Sequence, residues 1–160
     1  MNIQHELMKY KTTQLLLMLA SGAGIVDTLY LVNSHYNDPA ACTTPFIESF
    51  FGIPVDCGQV TTSQYSTIFG LPISLFGLLY YLTFFAILFF DAKVNAFIQP
   101  KGLSLSNLFL ILSSVGFLVS TILLFLQVAV LKLVCLYCMG SVVTSYTLFG
   151  VSLVFWRTSS

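Results

Sequence analysis

Charge is what this chain has least of. Six Lys or Arg and six Asp or Glu, 8% of 160 residues, sum to a net charge of zero. A soluble domain carries about 25% charged residues, so composition excludes an ordinary soluble globular protein. No basic run occurs, which removes the electrostatic footprint that nucleic-acid binding requires. A phosphate-binding glycine loop, a metal-ligand motif and a Ser/His/Asp constellation are all missing too. Nucleotide hydrolysis, metal catalysis and serine-type acyl transfer therefore have no residues to run on.

Hydrophobic residues make up 57% of the chain. They gather into four apolar spans, roughly Gln14–Val32, Ile68–Phe90, Leu105–Leu131 and Leu133–Trp156. Each reaches the length of about 20 residues that carries a helix across a bilayer. The expected fold is an all-α integral membrane protein, a four-transmembrane-helix bundle forming a single domain over residues 1–160. Lys9, Lys11 and the small Ser21-Gly22-Ala23 give the first span some likeness to a signal peptide. Its apolar stretch runs on to Val32, however, too long for a signal-peptide core, so it reads as a retained helix.

Lys and Arg set the orientation. Lys9, Lys11, Lys93, Lys101 and Arg157 lie on one side and Lys132 alone on the other, which places both termini in the cytoplasm. The loop over residues 33–67, with Asp38, Glu48 and Asp56 but no Lys or Arg, then faces outward.

The cysteines follow that topology. Cys42 and Cys57 lie in the first loop, Cys135 and Cys138 between spans three and four. Loops one and three share a face, so all four thiols meet on the outer, oxidising side. Cys135-Leu136-Tyr137-Cys138 is a CxxC at a helix start, where exposed backbone N–H groups favour thiolate. Lys132, three residues upstream, acts in the same direction, and Cys135 is expected to be the more exposed and activated thiol. A structural Cys42–Cys57 bridge, closing about 16 residues and worth roughly 3 kcal/mol, is one alternative. A zinc site built from all four thiolates is another, weakened by ligand spacing in only one of the two pairs.

Four further features stand out. Asp27 is the only formal charge inside any span, and carboxylates in membrane helices are costly and functional by default; it is a candidate for moving protons or for orienting a group in a pocket. His35 lies where span one ends. Tyr65 and Phe69 are candidate walls of an apolar ligand pocket. Gly22, Gly24, Gly70, Gly77 and Gly116 are candidate sites of close helix approach.

The string Cys57-Gly-Gln-Val60-Thr-Thr-Ser63-Gln-Tyr65-Ser-Thr-Ile-Phe69-Gly70-Leu71-Pro72, followed by Gly77 and Tyr80, resembles the loop-to-helix signature of the vitamin K epoxide reductase (VKOR) family. The later CxxC is similar to that family's arrangement. The resemblance covers roughly residues 14–156 and implies four helices around a quinone, ubiquinone or menaquinone, beneath an outer-loop cap. It further implies that Cys42 exchanges with a thioredoxin-fold partner, Cys57 relays to Cys135, and Cys138 faces the quinone. Ser63 would donate a hydrogen bond beside the active site.

Two positions depart from the vertebrate epoxide reducers, which have an Asn in helix 2 and a Tyr after the CxxC. Here the corresponding residues are Ala86 and Val142, which disfavours epoxide chemistry. The chain stops at Ser160 without a thioredoxin-like extension, so the expected partner is a separate periplasmic DsbA-like protein. The function expected from the resemblance is a quinone-linked protein-dithiol oxidoreductase for disulfide-bond formation in a bacterial inner membrane. One rival is a DsbB-type oxidase, whose CxxC lies in the first outer loop instead. The other is a small non-enzymatic transporter or assembly protein stapled by disulfides.

Overall fold

The computed structural model describes residues 3–37, 49–50, 52–98 and 104–159. Helix α1 (Ile3–Tyr36) is followed by a two-residue hairpin, β1 (Ser49–Phe50) with β2 (Ile53–Pro54), and the short α2 (Cys57–Thr61). A second hairpin, β3 (Thr67–Ile68) with β4 (Leu71–Pro72), leads into α3 (Ile73–Phe89) and α4 (Asp91–Ile98). Then come α5 (Leu105–Phe125), a π-helical turn (Leu126–Leu131) and α6 (Leu136–Ser159). Three of these helical stretches are long and apolar enough to cross a membrane, or four if α3 and α4, bent by 88°, form one span.

The second span begins as helix five residues later than expected, at Ile73 instead of Ile68. Residues 67–72 form the hairpin, not helix, because Phe69 (φ 53°) and Gly70 (φ 79°) turn the chain in two residues. Positive φ at both central positions is the hairpin-turn geometry, so α3 starts only at Ile73, with Pro72 as its N-cap rather than in its first turn.

Inside a membrane each helix must satisfy its own backbone, which leaves small polar side chains free to line the interior. Ser21 and Thr28 on α1 return their hydroxyls to Leu17 O (2.8 Å) and Gly24 O (2.6 Å). On α5, buried Ser106, Phe109, Ser113, Gly116 and Ser120 recur every three or four residues and form one inward stripe. Ile111, Leu118, Ile122 and Phe125 lie exposed around it, as lipid-facing residues do.

Helix α1 packs along α3 and α6, and α6 along α5, whereas α3 and α5 barely touch. Three of the glycines expected at close approaches do make them. Gly24 lies against the Tyr81 ring, Gly77 faces Thr28, and Gly116 receives the Tyr80 hydroxyl. Gly22 meets nothing within 4 Å, and Gly70 serves its turn.

Two separate buried clusters result. One joins Leu17, Tyr81, Phe84, Leu88, Phe109, Leu148 and Phe155 across the helices. The other joins Leu31, Val55, Cys57, Val60, Val134 and Cys135 at the end that bears the CxxC.

Candidate functional site

A single backbone bridge organises the cysteine end. Val134 N donates to Pro54 O (3.0 Å) and Asp56 N donates to Val134 O (3.1 Å), pairing Val55 with Val134 in parallel. Loop and CxxC are thus held side by side, two residues before Cys57 and one before Cys135. Asp56 also caps α2: its carboxylate accepts from Gln59 N (2.9 Å) and Gln59 Nε2 (2.7 Å). His35 Nδ1 meets Thr61 O at 3.0 Å, tying the end of α1 to the same short helix.

Cys57 and Cys135 lie in one sealed cluster, 1% and 0% exposed. Cys135 is therefore not the more exposed thiol expected from its place at a helix start; the docked loop covers it. Cys57 is disulfide-bonded, whereas Cys135 and Cys138 are free thiols. Cys42 falls outside the described residues.

Cys138 N donates to Cys135 Sγ at 3.3 Å. The hydrogen bond from the Cys138 thiol, helped by the backbone N–H groups of Cys138 and Tyr137, holds the Cys135 thiol below its ordinary pKa despite burial. Lys132 has no part in this. It occupies a left-handed turn (φ 52°) with its side chain exposed, so the helix start and the second thiol supply the activation.

Between α3 and α5, where the helices part, lies a cavity of about 320 Å³. Its walls are mostly apolar, and Cys138, Ser141, Ser63 and Tyr65 are all on them. Ser63 donates its hydroxyl to Val60 O (2.9 Å), and Tyr65 is 42% exposed at the loop edge. Phe69 does not reach this cavity: at the tip of its turn it is 99% exposed. Asp27 stands one residue removed from it. Its carboxylate accepts a hydrogen bond from Ser141 Oγ across the α1–α6 contact, beside Gly140, and Ser141 faces the cavity.

Besides Ser141, two cavity-wall residues were not marked as such by the sequence, although Tyr80 stands in the family signature. Tyr80 lines the cavity, and its buried hydroxyl has no hydrogen-bond partner. Gln127, 5% exposed on the π-helical turn, accepts from Cys135 N through Oε1 at 3.0 Å and also lines the cavity. A lone amide eight residues before a CxxC, inside a long apolar run, was the available signal.

A volume near 300 Å³ with a few polar groups on apolar walls is the character of a small-molecule site. A quinone ring, flat and apolar with two carbonyl oxygens, fits such walls, and the side chains of Ser141 and Gln127 set polar groups among them. No curated protein matches the chain. The model of the vitamin K epoxide reductase family matches residues 15–153, nearly its whole length. That match sets aside the DsbB-type scaffold. The chain belongs to the vitamin K epoxide reductase family, membrane thiol–disulfide oxidoreductases that work with quinones.

Proposed function

We propose that this chain is a thiol oxidase of a bacterial inner membrane, which returns a periplasmic DsbA-like protein to its disulfide form and passes the electrons to ubiquinone or menaquinone. The observation that carries this reading is the cysteine end itself. The Val55–Val134 bridge holds Cys57 in the same buried cluster as Cys135, and Cys138, three residues on, opens to the apolar cavity. The excess of Lys and Arg at the opposite end supports an outward-facing cysteine end with cytoplasmic termini.

In this scheme a thiolate of the reduced partner attacks a loop disulfide between Cys42 and Cys57 at Cys42. Cys57 leaves as thiolate, and the partner's second thiol closes the partner's own disulfide. Cys57 then attacks a Cys135–Cys138 disulfide at Cys135, the sulfur whose thiolate is stabilised. Cys42 resolves that mixed disulfide, so the loop bridge re-forms and the CxxC becomes a dithiol. Relative reduction potentials set the direction. A quinone in the cavity supplies the acceptor for the two electrons and two protons released as Cys135 and Cys138 close their disulfide. Ser63, Tyr65 and Ser141 stand on the cavity wall, and Asp27 handles protons through Ser141. Phe69 lies too far out to touch the ring.

The test is quinone reduction by the purified chain, driven by a reduced DsbA-like protein, with Cys138→Ala in parallel. Turnover by the wild type and none by the variant is the expected result. If no partner and no quinone supports turnover, the cysteines are structural and the oxidase reading falls.

A further inference from the structure

Resting on the quinone reading above, one residue of the cavity acquires a role that neither the CxxC nor the loop explains. Gln127 lies on the π-helical turn that ends the α5 stretch. Such turns are rare and concentrate at functional sites, because the extra residue redirects side chains. The oxygens of Gln127 are fully engaged. Its backbone carbonyl accepts from Lys132 N and from Leu133 N (3.2 Å), and Oε1 accepts from Cys135 N at 3.0 Å.

A backbone N–H can only donate, so the amide oxygen must face Cys135. The NH2 group is then directed elsewhere, and it can only donate. Among the described residues no acceptor meets Nε2, yet it is absent from the sealed polar atoms, which are the hydroxyls of Tyr80 and Ser152. Nε2 thus keeps accessible surface, and for a side chain only 5% exposed on the cavity wall that surface is the cavity.

We infer that Gln127 binds the quinone, Nε2 donating a hydrogen bond to one carbonyl oxygen while Oε1 stays on the Cys135 N–H, so that a single amide links the ring to the CxxC. A quinone carbonyl only accepts, which matches the N–H donors of the amide. Depth agrees. Gly116, where the Tyr80 hydroxyl packs, is eleven residues before Gln127, about 16 Å along the helix at 1.5 Å per residue. Gln127, bonded to Cys135 N, is level with the thiols, whereas Tyr80 lies toward the middle of the bundle. Gln127 is the donor that brings a ring within reach of Cys138.

The test uses the full chain in lipid nanodiscs, with short-chain ubiquinone and menaquinone analogues carrying 13C at one carbonyl or the other. Infrared difference spectra read the stretch of each carbonyl, and titration reads Kd. In the wild type one carbonyl is downshifted. Gln127→Leu raises Kd about tenfold, in line with loss of one buried hydrogen bond, and abolishes the downshift. Gln127→Glu, which keeps an oxygen for Cys135 N but lacks the NH2, guards against misfolding of the leucine variant and changes the same carbonyl. Wild-type quinone bound with both carbonyls unshifted, or a downshift and Kd that both variants leave intact, would overturn the inference and spare the oxidase reading. Failure of the wild type to bind any quinone would overturn both.

Discussion

The two ends of the molecule are closed in opposite ways. At the end away from the cysteines, side chains do the closing. Tyr10 and Gln14 of α1 both donate to Asp91 at the start of α4, at 3.1 and 2.5 Å, and Trp156 of α6 donates to Asn107 of α5 at 2.8 Å. Rings of Tyr10, Phe109 and Phe155 pack behind them, tilted to one another. At the cysteine end backbone bonds lead: one parallel bridge and a π-helical turn hold the thiols, with His35 and Gln127 adding a side-chain bond each. Permanent side-chain bonds suit an end that only has to stay together. Thiols that exchange cannot themselves be the fastening, so backbone hydrogen bonds, indifferent to redox state, hold them in register.

The largest effect should come from breaking that bridge. Val55 is 3% exposed within the cysteine cluster, and Val55→Asp places an unpaired charge there. Such a burial costs about 3–5 kcal/mol, so dithiol-driven quinone reduction is expected to fall by about 100-fold or more. Quinone Kd measured by titration should barely change, since Val55 is absent from the cavity wall. A parallel loss of quinone binding would mean that the loop and the cavity are one unit.

Next comes Gly116. A Cβ there meets the Tyr80 ring and hydroxyl, so Gly116→Leu must push that ring into the cavity. Overpacking costs about 1–3 kcal/mol, and quinone affinity should weaken about tenfold or more. Gly22→Leu, where nothing lies within 4 Å, is the control and should leave Kd unchanged.

Asp27→Asn keeps an acceptor for Ser141 but cannot take up a proton. Turnover is expected to drop about tenfold, a typical lower bound for general acid–base help, with quinone Kd unaltered. Equal turnover in the variant would reduce Asp27 to a helix-packing residue.

The thiolate of Cys135 makes a signed prediction about pH. Its pKa is lowered by the Cys138 thiol and the helix N–H groups, and in the reverse exchange, from the reduced CxxC onto the loop disulfide, the Cys135 thiolate is the attacking species. In single-turnover exchange, the rate should therefore stop rising at a lower pH than for an ordinary thiol near 8.5. In Cys138→Ala the plateau should move to higher pH.

The smallest effect belongs to the far end. Asp91→Asn weakens the bonds from Tyr10 and Gln14, worth about 1 kcal/mol. Thermal unfolding should shift down by a few degrees, with turnover unchanged.

The apolar spans could be read in advance because burial in a bilayer imposes length and composition on each helix independently. The meeting of the CxxC with the loop at one end followed in turn from chain alternation. The hairpin at residues 67–72 was hidden because Ile68, Phe69 and Leu71 are as apolar as the helix they precede. Only their backbone angles set them apart. The exposure of Phe69 and the burial of Cys135 likewise depend on which segment lies over which.

By itself, then, the amino-acid sequence determined a membrane protein, its approximate spans and the approach of Cys57 to the CxxC, since these depend on composition and order along the chain. Only the tertiary structure decided that the docked loop covers Cys135, that α3 and α5 part to leave a cavity, and that Gln127 joins that cavity to the CxxC. Each of these rests on hydrogen bonds and contacts between segments far apart in the chain, which local composition does not encode.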